Sequence, residues 1–154
     1  MRGAITIMTF NVRALAKEDR PGWEELWGGY LDFYEAPMEA VVIELTWSRL
    51  LDPDEPMIAL VAEDAENKEL LGLVHCVFHR GTWAINDLCY LEDLYVSACA
   101  RGRGVGRALI EAVYALADER QCDRVYWMTQ ESNETARKLY EKMARRTGFI
   151  QYRR

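Results

Sequence analysis

The sequence holds only two histidines, four cysteines and four prolines in 154 residues. Cys76, Cys89, Cys99 and Cys122 lie 13, 10 and 23 positions apart, which matches no paired metal-ligand spacing. A domain of this size does not depend on disulfides, so reduced thiols in a cytoplasmic protein are expected. His75 and His79 are four apart on a predicted strand, hence on one face, but no third ligand accompanies them, and no metal is expected. Apolar runs such as Leu70–Val74 fall far short of the roughly 20 residues needed to cross a bilayer. The N-terminus has no long apolar segment followed by a small-residue cleavage site. Repeats, low-complexity tracts and Gly/Ser linkers are absent as well. The expectation is one domain over residues 1–154, with no membrane partner and with 1–8 set apart as a disordered or alternative-start segment ending at Met8.

What the chain does have is apolar and aromatic mass. Half of it is hydrophobic, 29% is charged, and five Trp, eight Tyr and four Phe supply bulk for a sizeable core. The net charge of −6 is unevenly spread: residues 18–55 have two basic and eleven acidic side chains, whereas 101–154 have twelve basic and seven acidic. An acidic protein is a poor fit to a nucleic-acid backbone, which excludes that partner class. The basic C-terminal third still leaves room for a small phosphorylated ligand, and the division predicts two different partners.

Hydrophobic periodicity outlines the elements. Thr9–Leu15 alternates as a strand, and Asp19 with Pro21 opens a helix bearing Trp23, Leu26, Trp27, Tyr30, Phe33 and Tyr34, weakened in the middle by Gly28 and Gly29. Pro37 starts a second helix with Met38, Val41, Val42 and Leu45 as its stripe. Met57–Ala62 and Leu70–His79 read as a hairpin around Glu66, Asn67 and Lys68, and Tyr90–Val96 as the next strand. After a glycine-rich loop comes a helix striped by Val105, Leu109, Ala112, Val113 and Leu116. Then follow a strand at Arg124–Thr129, a helix at Asn133–Arg146, a stop at Gly148 and a last strand at Phe149–Arg153. The order β-α-α-β-β-β-α-β-α-β predicts an α/β fold with helices packed on a mixed sheet.

The loop Arg101-Gly102-Arg103-Gly104-Val105-Gly106-Arg107 stands between a strand and a helix, where free backbone N–H groups and the helix dipole hold a phosphate. It is not a dinucleotide fingerprint, because the residue three after Gly104 is Arg107, and no Gly-Lys-Ser/Thr follows for a nucleoside triphosphate.

Arg101-x-x-Gly104-x-Gly106 follows Leu91-Glu92-Asp93-Leu94-Tyr95-Val96, and Asn133-x-x-Ala136-x-x-x-Tyr140 and Gly148-Phe149 come later. Together they resemble the GNAT superfamily of acetyl-CoA-dependent N-acetyltransferases, from about residue 10 to the end. Tyr90-Leu91-Glu92-Asp93 is similar to the spermidine/spermine and thialysine acetyltransferases, and the Gly148–Arg153 tail resembles the yeast-type histone and polyamine branch. The resemblance implies a mixed, mostly antiparallel sheet of six to seven strands with four helices, and a homodimer. It implies that Arg101, Gly102, Arg103, Gly104, Val105 and Gly106 bind the pyrophosphate of coenzyme A. Leu94, Tyr95 and Val96 would then offer backbone groups to the pantetheine arm, and Asn133 would contact the cofactor. Seven residues separate Tyr140 from Gly148, where common members have three or four, so a longer last helix or an extra turn is expected.

A lysine-like amine with a pKa of about 10.4 gives up its proton at pH 7 at a cost of roughly 4.6 kcal/mol, so a base is needed near the thioester. Glu92 matches the family's base. Asp93 is its rival, since strand alternation sends the two to opposite faces. Tyr140 matches the family's acid: a phenol with a pKa of about 10 is protonated at neutral pH and donates to the leaving sulfur. Tyr140 also lies on an apolar stripe with Ala136 and Met143, and Asn133 would make a good N-cap in any protein. The resemblance places the first two helices over the acceptor opening, and since aromatic faces beside carboxylates favour an ammonium group, Tyr30, Phe33, Tyr34 and Glu35 are the acceptor-site candidates. The expected reaction moves the acetyl group of acetyl-CoA to a small cationic amine. Acetylation of protein lysines or N-termini, and a non-catalytic acyl-CoA-binding module, are the alternatives.

Overall fold

The computed structural model describes residues 9–154; the segment 1–8, with the alternative start at Met8, lies outside the described residues. The elements are β1 (Phe10–Ala14), α1 (Arg20–Phe33), α2 (Ala40–Leu51), β2 (Met57–Asp64), β3 (Leu70–His79), β4 (Leu88–Val96), α3 (Val105–Glu119), β5 (Arg124–Tyr126) and α4 (Glu134–Met143). The strands lie side by side in chain order, antiparallel from β1 to β4, with β5 parallel to β4. Among the described residues, no helix is long and apolar enough to cross a membrane.

Two cores sandwich the sheet. On one face Val105, Leu109, Ile110, Val113 and Ala117 of α3 pack on Val74, Cys76, Cys89 and Leu91. On the other, Trp23, Leu26 and Trp27 of α1 and Leu50 of α2 cover Ala59, Val61 and Leu73. Arg13 of β1 donates to both oxygens of Asp19, at 2.7 and 2.8 Å, and to Glu63, fixing the start of α1 to the sheet. Those hydrogen bonds hold the Asp19 carboxyl below the usual carboxylate range.

Four features differ from the sequence reading. The sheet has five strands among the described residues, not six to seven: Phe149–Arg153 forms no strand, and Phe149, Ile150 and Tyr152 are exposed. Alternation alone does not make a strand, and this tail pairs with neither β5 nor the outer side of β4. The face of α2 that packs inward is Ile43, Trp47 and Leu50, leaving Val41, Val42 and Leu45 exposed; both faces of this helix are apolar, and periodicity does not choose between them. Helix α1 runs unbroken through Gly28 and Gly29, and a Cβ at position 29 would stand 2.6 Å from the Tyr95 hydroxyl. Gly29 therefore serves close packing against β4. Finally α4 stops at Met143, and Ala144 is extended, so the extra residues before Gly148 lengthen the tail and not the helix.

Candidate functional site

The β3–β4 ladder contains a bulge. Its register steps from His75 opposite Asp93 to Cys76 opposite Leu91, which leaves Glu92 without a cross-strand partner. The bulge cancels the alternation that would have sent Glu92 and Asp93 to opposite faces. Leu91 and Leu94 both belong with the α3 core, while Asp93 faces α1 through its hydrogen bond with His75. The phenol of Tyr30, from α1, meets the charges of both Asp93 and Glu92; burial and then those carboxylates push its pKa well above the phenol range. Glu92 opens to solvent as a residue, yet partial loss of hydration, reinforced by Asp93, raises its pKa above the ordinary Glu value.

Beyond Tyr90 the sheet divides. β5 pairs with β4 only at Leu88–Tyr90, so the stretch Leu91–Val96 is hydrogen-bonded to β3 but has no strand on its other side among the described residues. The backbone of Leu94, Tyr95 and Val96 thus borders an opening. Arg101 bends back on it: its Nε donates to the Val96 carbonyl at 3.1 Å and its guanidinium lies 5.6 Å from the Tyr95 ring centre.

In the adjoining loop Gly102 and Gly104 have φ of +76° and +83°, a region that favours glycine, and a Cβ at either would meet open space. Gly104 is the N-cap of α3, and no side chain caps that end, so the N–H groups of Val105, Gly106 and Arg107 face the loop's concavity. Val105 is fully buried and anchors the helix, while Arg103 and Arg107 are exposed. An uncapped helix N-terminus behind a glycine loop suits an anion. Asn133 caps α4: its Oδ1 accepts from the Ala136 N–H at 3.4 Å and its Nδ2 reaches Thr129 Oγ1 at 3.4 Å.

Tyr140 of α4 is partly buried against the α3-side core. Its ring packs edge-on against Trp127, with centroids 5.5 Å apart, and burial, with Tyr34 adding to it, pushes its hydroxyl pKa up to about 12. Tyr34 in turn packs on Tyr30 at 4.9 Å. The structure therefore brings Glu92, Tyr30, Tyr34 and Tyr140 to one region. Phe33, 54% exposed, leans on Tyr34 from the solvent side, and Glu35 is an exposed turn residue with φ of +49°.

The partners of the two histidines at this face escaped the sequence reading. His79 Nε2 lies 2.6 Å from the Tyr126 hydroxyl, and Tyr126 stacks on Tyr90 at 4.9 Å. His75 is buried between Trp23 and Asp93. Both histidines are thus engaged with protein partners, and among the described residues no cluster of His, Cys, Asp and Glu could hold a metal ion. A histidine inside so apolar a strand needs buried partners, and that was the available signal.

Comparison with known proteins bears on the fold and the family. Residues 13–144 match the model of the acetyltransferase (GNAT) family. The chain is 37% identical over 143 residues to the D-amino-acid N-acetyltransferase HPA3 of Saccharomyces cerevisiae, covering 93% of this chain and 89% of that protein. It is 28% identical to the uncharacterized N-acetyltransferase YhfO of Bacillus subtilis, covering 92% and 95%. The crystal structure of a ribosomal-protein-alanine N-acetyltransferase from Brucella melitensis shares the fold with a TM-score of 0.78 at 23% identity, over 94% of this chain and 97% of that one.

Proposed function

Since this chain belongs to the GNAT family and is an acetyl-CoA-dependent N-acetyltransferase, we propose that its acceptor is a small cationic primary amine, polyamine or lysine-like, attacked directly in a ternary complex. The observation that carries this reading is the pair of adjacent carboxylates, Glu92 and Asp93, set at the bulge beside Tyr30, whose hydroxyl hydrogen-bonds Asp93 and whose ring packs on Tyr34. Negative charge beside aromatic faces suits an ammonium group. Phe33 and Glu35 belong to the outer rim of that acceptor side.

When bound, acetyl-CoA supplies an activated acyl carbon and a thiol leaving group. The uncapped N-terminus of α3 and the loop Arg101–Gly106 suit its pyrophosphate, and the free edge of Leu94–Val96 suits its amide arm. Asn133 acts beside them as the cap that sets the start of α4. Glu92 takes one proton from the acceptor ammonium, which frees the lone pair for the C–N bond, and Tyr140 would donate its proton to the sulfur as the C–S bond breaks. Glu92 passes that proton to solvent and takes the second nitrogen proton as the amide forms, while Tyr140 is reprotonated from solvent, so of the two protons the ammonium loses one ends on the thiol and one in solvent. Without a base in place the amine would pay the full cost of deprotonation at neutral pH.

A Gly104→Val variant tests the loop. A β-branched residue at φ of +83° costs about 1–2 kcal/mol of backbone strain. We expect the KM for acetyl-CoA to rise about tenfold while kcat changes little; an unchanged KM in a folded variant would remove the loop from the site.

A second reading, an amino acid acceptor, is favoured by the identity to HPA3, whose name gives D-amino acids as its substrates. One screen separates the two: thiol release from acetyl-CoA is followed with polyamines, lysine analogues, aminoglycosides, D-amino acids and basic peptides. Turnover of the diamines and polyamines is expected. Turnover of neutral D-amino acids alone would replace the first reading with the second, and turnover of basic peptides alone would point to protein acetylation. The free cysteines suit a cytoplasmic protein, and the exposed apolar residues Phe149, Ile150 and Tyr152 suit a homodimer contact, which light scattering measures.

A further inference from the structure

A chain of buried hydrogen bonds joins α1 to the bulge. The indole Nε1–H of Trp23 donates to His75 Nε2 at 3.0 Å, and His75 Nδ1 lies 3.0 Å from Asp93 Oδ2. An indole N–H only donates, so Nε2 must offer its lone pair and the ring proton must sit on Nδ1, where it is donated to Asp93. Trp23 is fully buried and His75 is 2% exposed. The donor is also fixed from the sides, with Trp27 stacked on Trp23 at 6.2 Å and Trp47 against it at 5.0 Å. The chain ends on the last cross-strand pair before the register steps, one residue from Glu92.

We propose that Trp23 and His75 are positioning residues for acetyl transfer, holding Asp93 as a fixed, hydrogen-bonded carboxylate at the bulge so that Glu92 is the member of the pair that takes the amine proton. This rests on the reading of Glu92 as the base. Two adjacent carboxylates compete for one proton, and an N–H donated to one of them favours its ionised form. The proton that enters the pair then goes to the other. The groups that face the pair are Tyr30 of α1, which also hydrogen-bonds Asp93, with Tyr34 beside it just past the end of α1, His75 from β3, Tyr90 from β4 and Tyr126 from β5, while Cys76 of β3 lies on the α3 side. Among them only His75 is held in place by a buried donor of its own.

The test compares His75→Leu, which removes both hydrogen bonds, with His75→Asn, whose Nδ2 keeps a donor toward Asp93, and with Glu92→Gln. In His75→Leu, Asp93 competes for the proton. With the proton settling on Asp93, Glu92 loses its charged neighbour and becomes the weaker base, so the acidic limb of kcat/KM for the acceptor should move down by about one pH unit, and kcat should fall about tenfold with the acetyl-CoA KM unchanged. His75→Asn should restore most of both. A folded His75→Leu variant with the wild-type limb and kcat overturns the proposal and leaves the role of Glu92 intact. An acidic limb that survives in Glu92→Gln overturns Glu92 as the base, whatever His75 does. Should His75→Leu fail to fold, imidazole 15N shifts of the wild-type protein and a Trp23→Phe variant decide. The Nδ1–H tautomer with a shifted limb in Trp23→Phe supports the relay, and either an Nε2–H tautomer or an unmoved limb overturns it.

Discussion

Glu92→Gln is expected to lower kcat by about a hundred- to a thousandfold near pH 7, the range over which a positioned general base acts. The pH profile is the sharper signature. Loss of hydration and the adjacent Asp93 raise the Glu92 pKa, so the wild-type enzyme needs a pH above the ordinary Glu range before its base is ionised, and activity falls as pH drops through that raised value. The variant has no such group. Its rate depends on the acceptor already being a free amine, a fraction that grows about tenfold per pH unit up to a pKa of about 10.4. The gap between the two enzymes should therefore narrow steadily as pH rises. Two parallel profiles would mean that another group, with Asp93 first in line, takes the proton. Because Glu92 is exposed and without a cross-strand partner, the melting temperature should stay within a few degrees of wild type.

Tyr140→Phe is expected to reduce kcat by about ten- to a hundredfold with little change in either KM, since it removes one proton donor and no bulk. Burial raises the hydroxyl to about 12, so Tyr140 stays protonated through the whole assay range and should add no basic limb of its own. The direction is what a donor to a departing thiolate requires. The phenyl ring would keep its edge-on contact with Trp127, which confines the change to the hydroxyl. Wild-type kcat in this variant would return Tyr140 to the role of a core residue.

The parts of the site that were legible in the sequence are those whose chemistry restricts residue type. A loop with two positive φ values and an uncapped helix behind it needs glycine, and Gly102 and Gly104 mark it. The stripe Trp23–Leu26–Trp27–Tyr30 likewise marked the helix that covers the carboxylates. The bulge was harder, because it changes pairing and not composition. A trace of it exists: Cys89, Leu91, Leu94 and Val96 all join the α3 core, and the three-residue step from Leu91 to Leu94 is one that a regular strand does not allow. Helix α2 and the tail show the limit from the other side. Their apolar residues satisfy the period of an element, but which neighbour covers Val41, Val42 and Leu45, or pairs with Phe149–Arg153, is a tertiary fact that local pattern does not contain.

Arg101 has a thermodynamic consequence. Its bond to the Val96 carbonyl and its place over the Tyr95 ring tie the glycine loop to the end of β4 within the protein itself. Glycines lose more conformational freedom on ordering than any other residue, and here that loss falls on folding, before a ligand arrives. The association step is left to desolvation and charge, so the loop acts as a preformed receptor whose selectivity is set by shape.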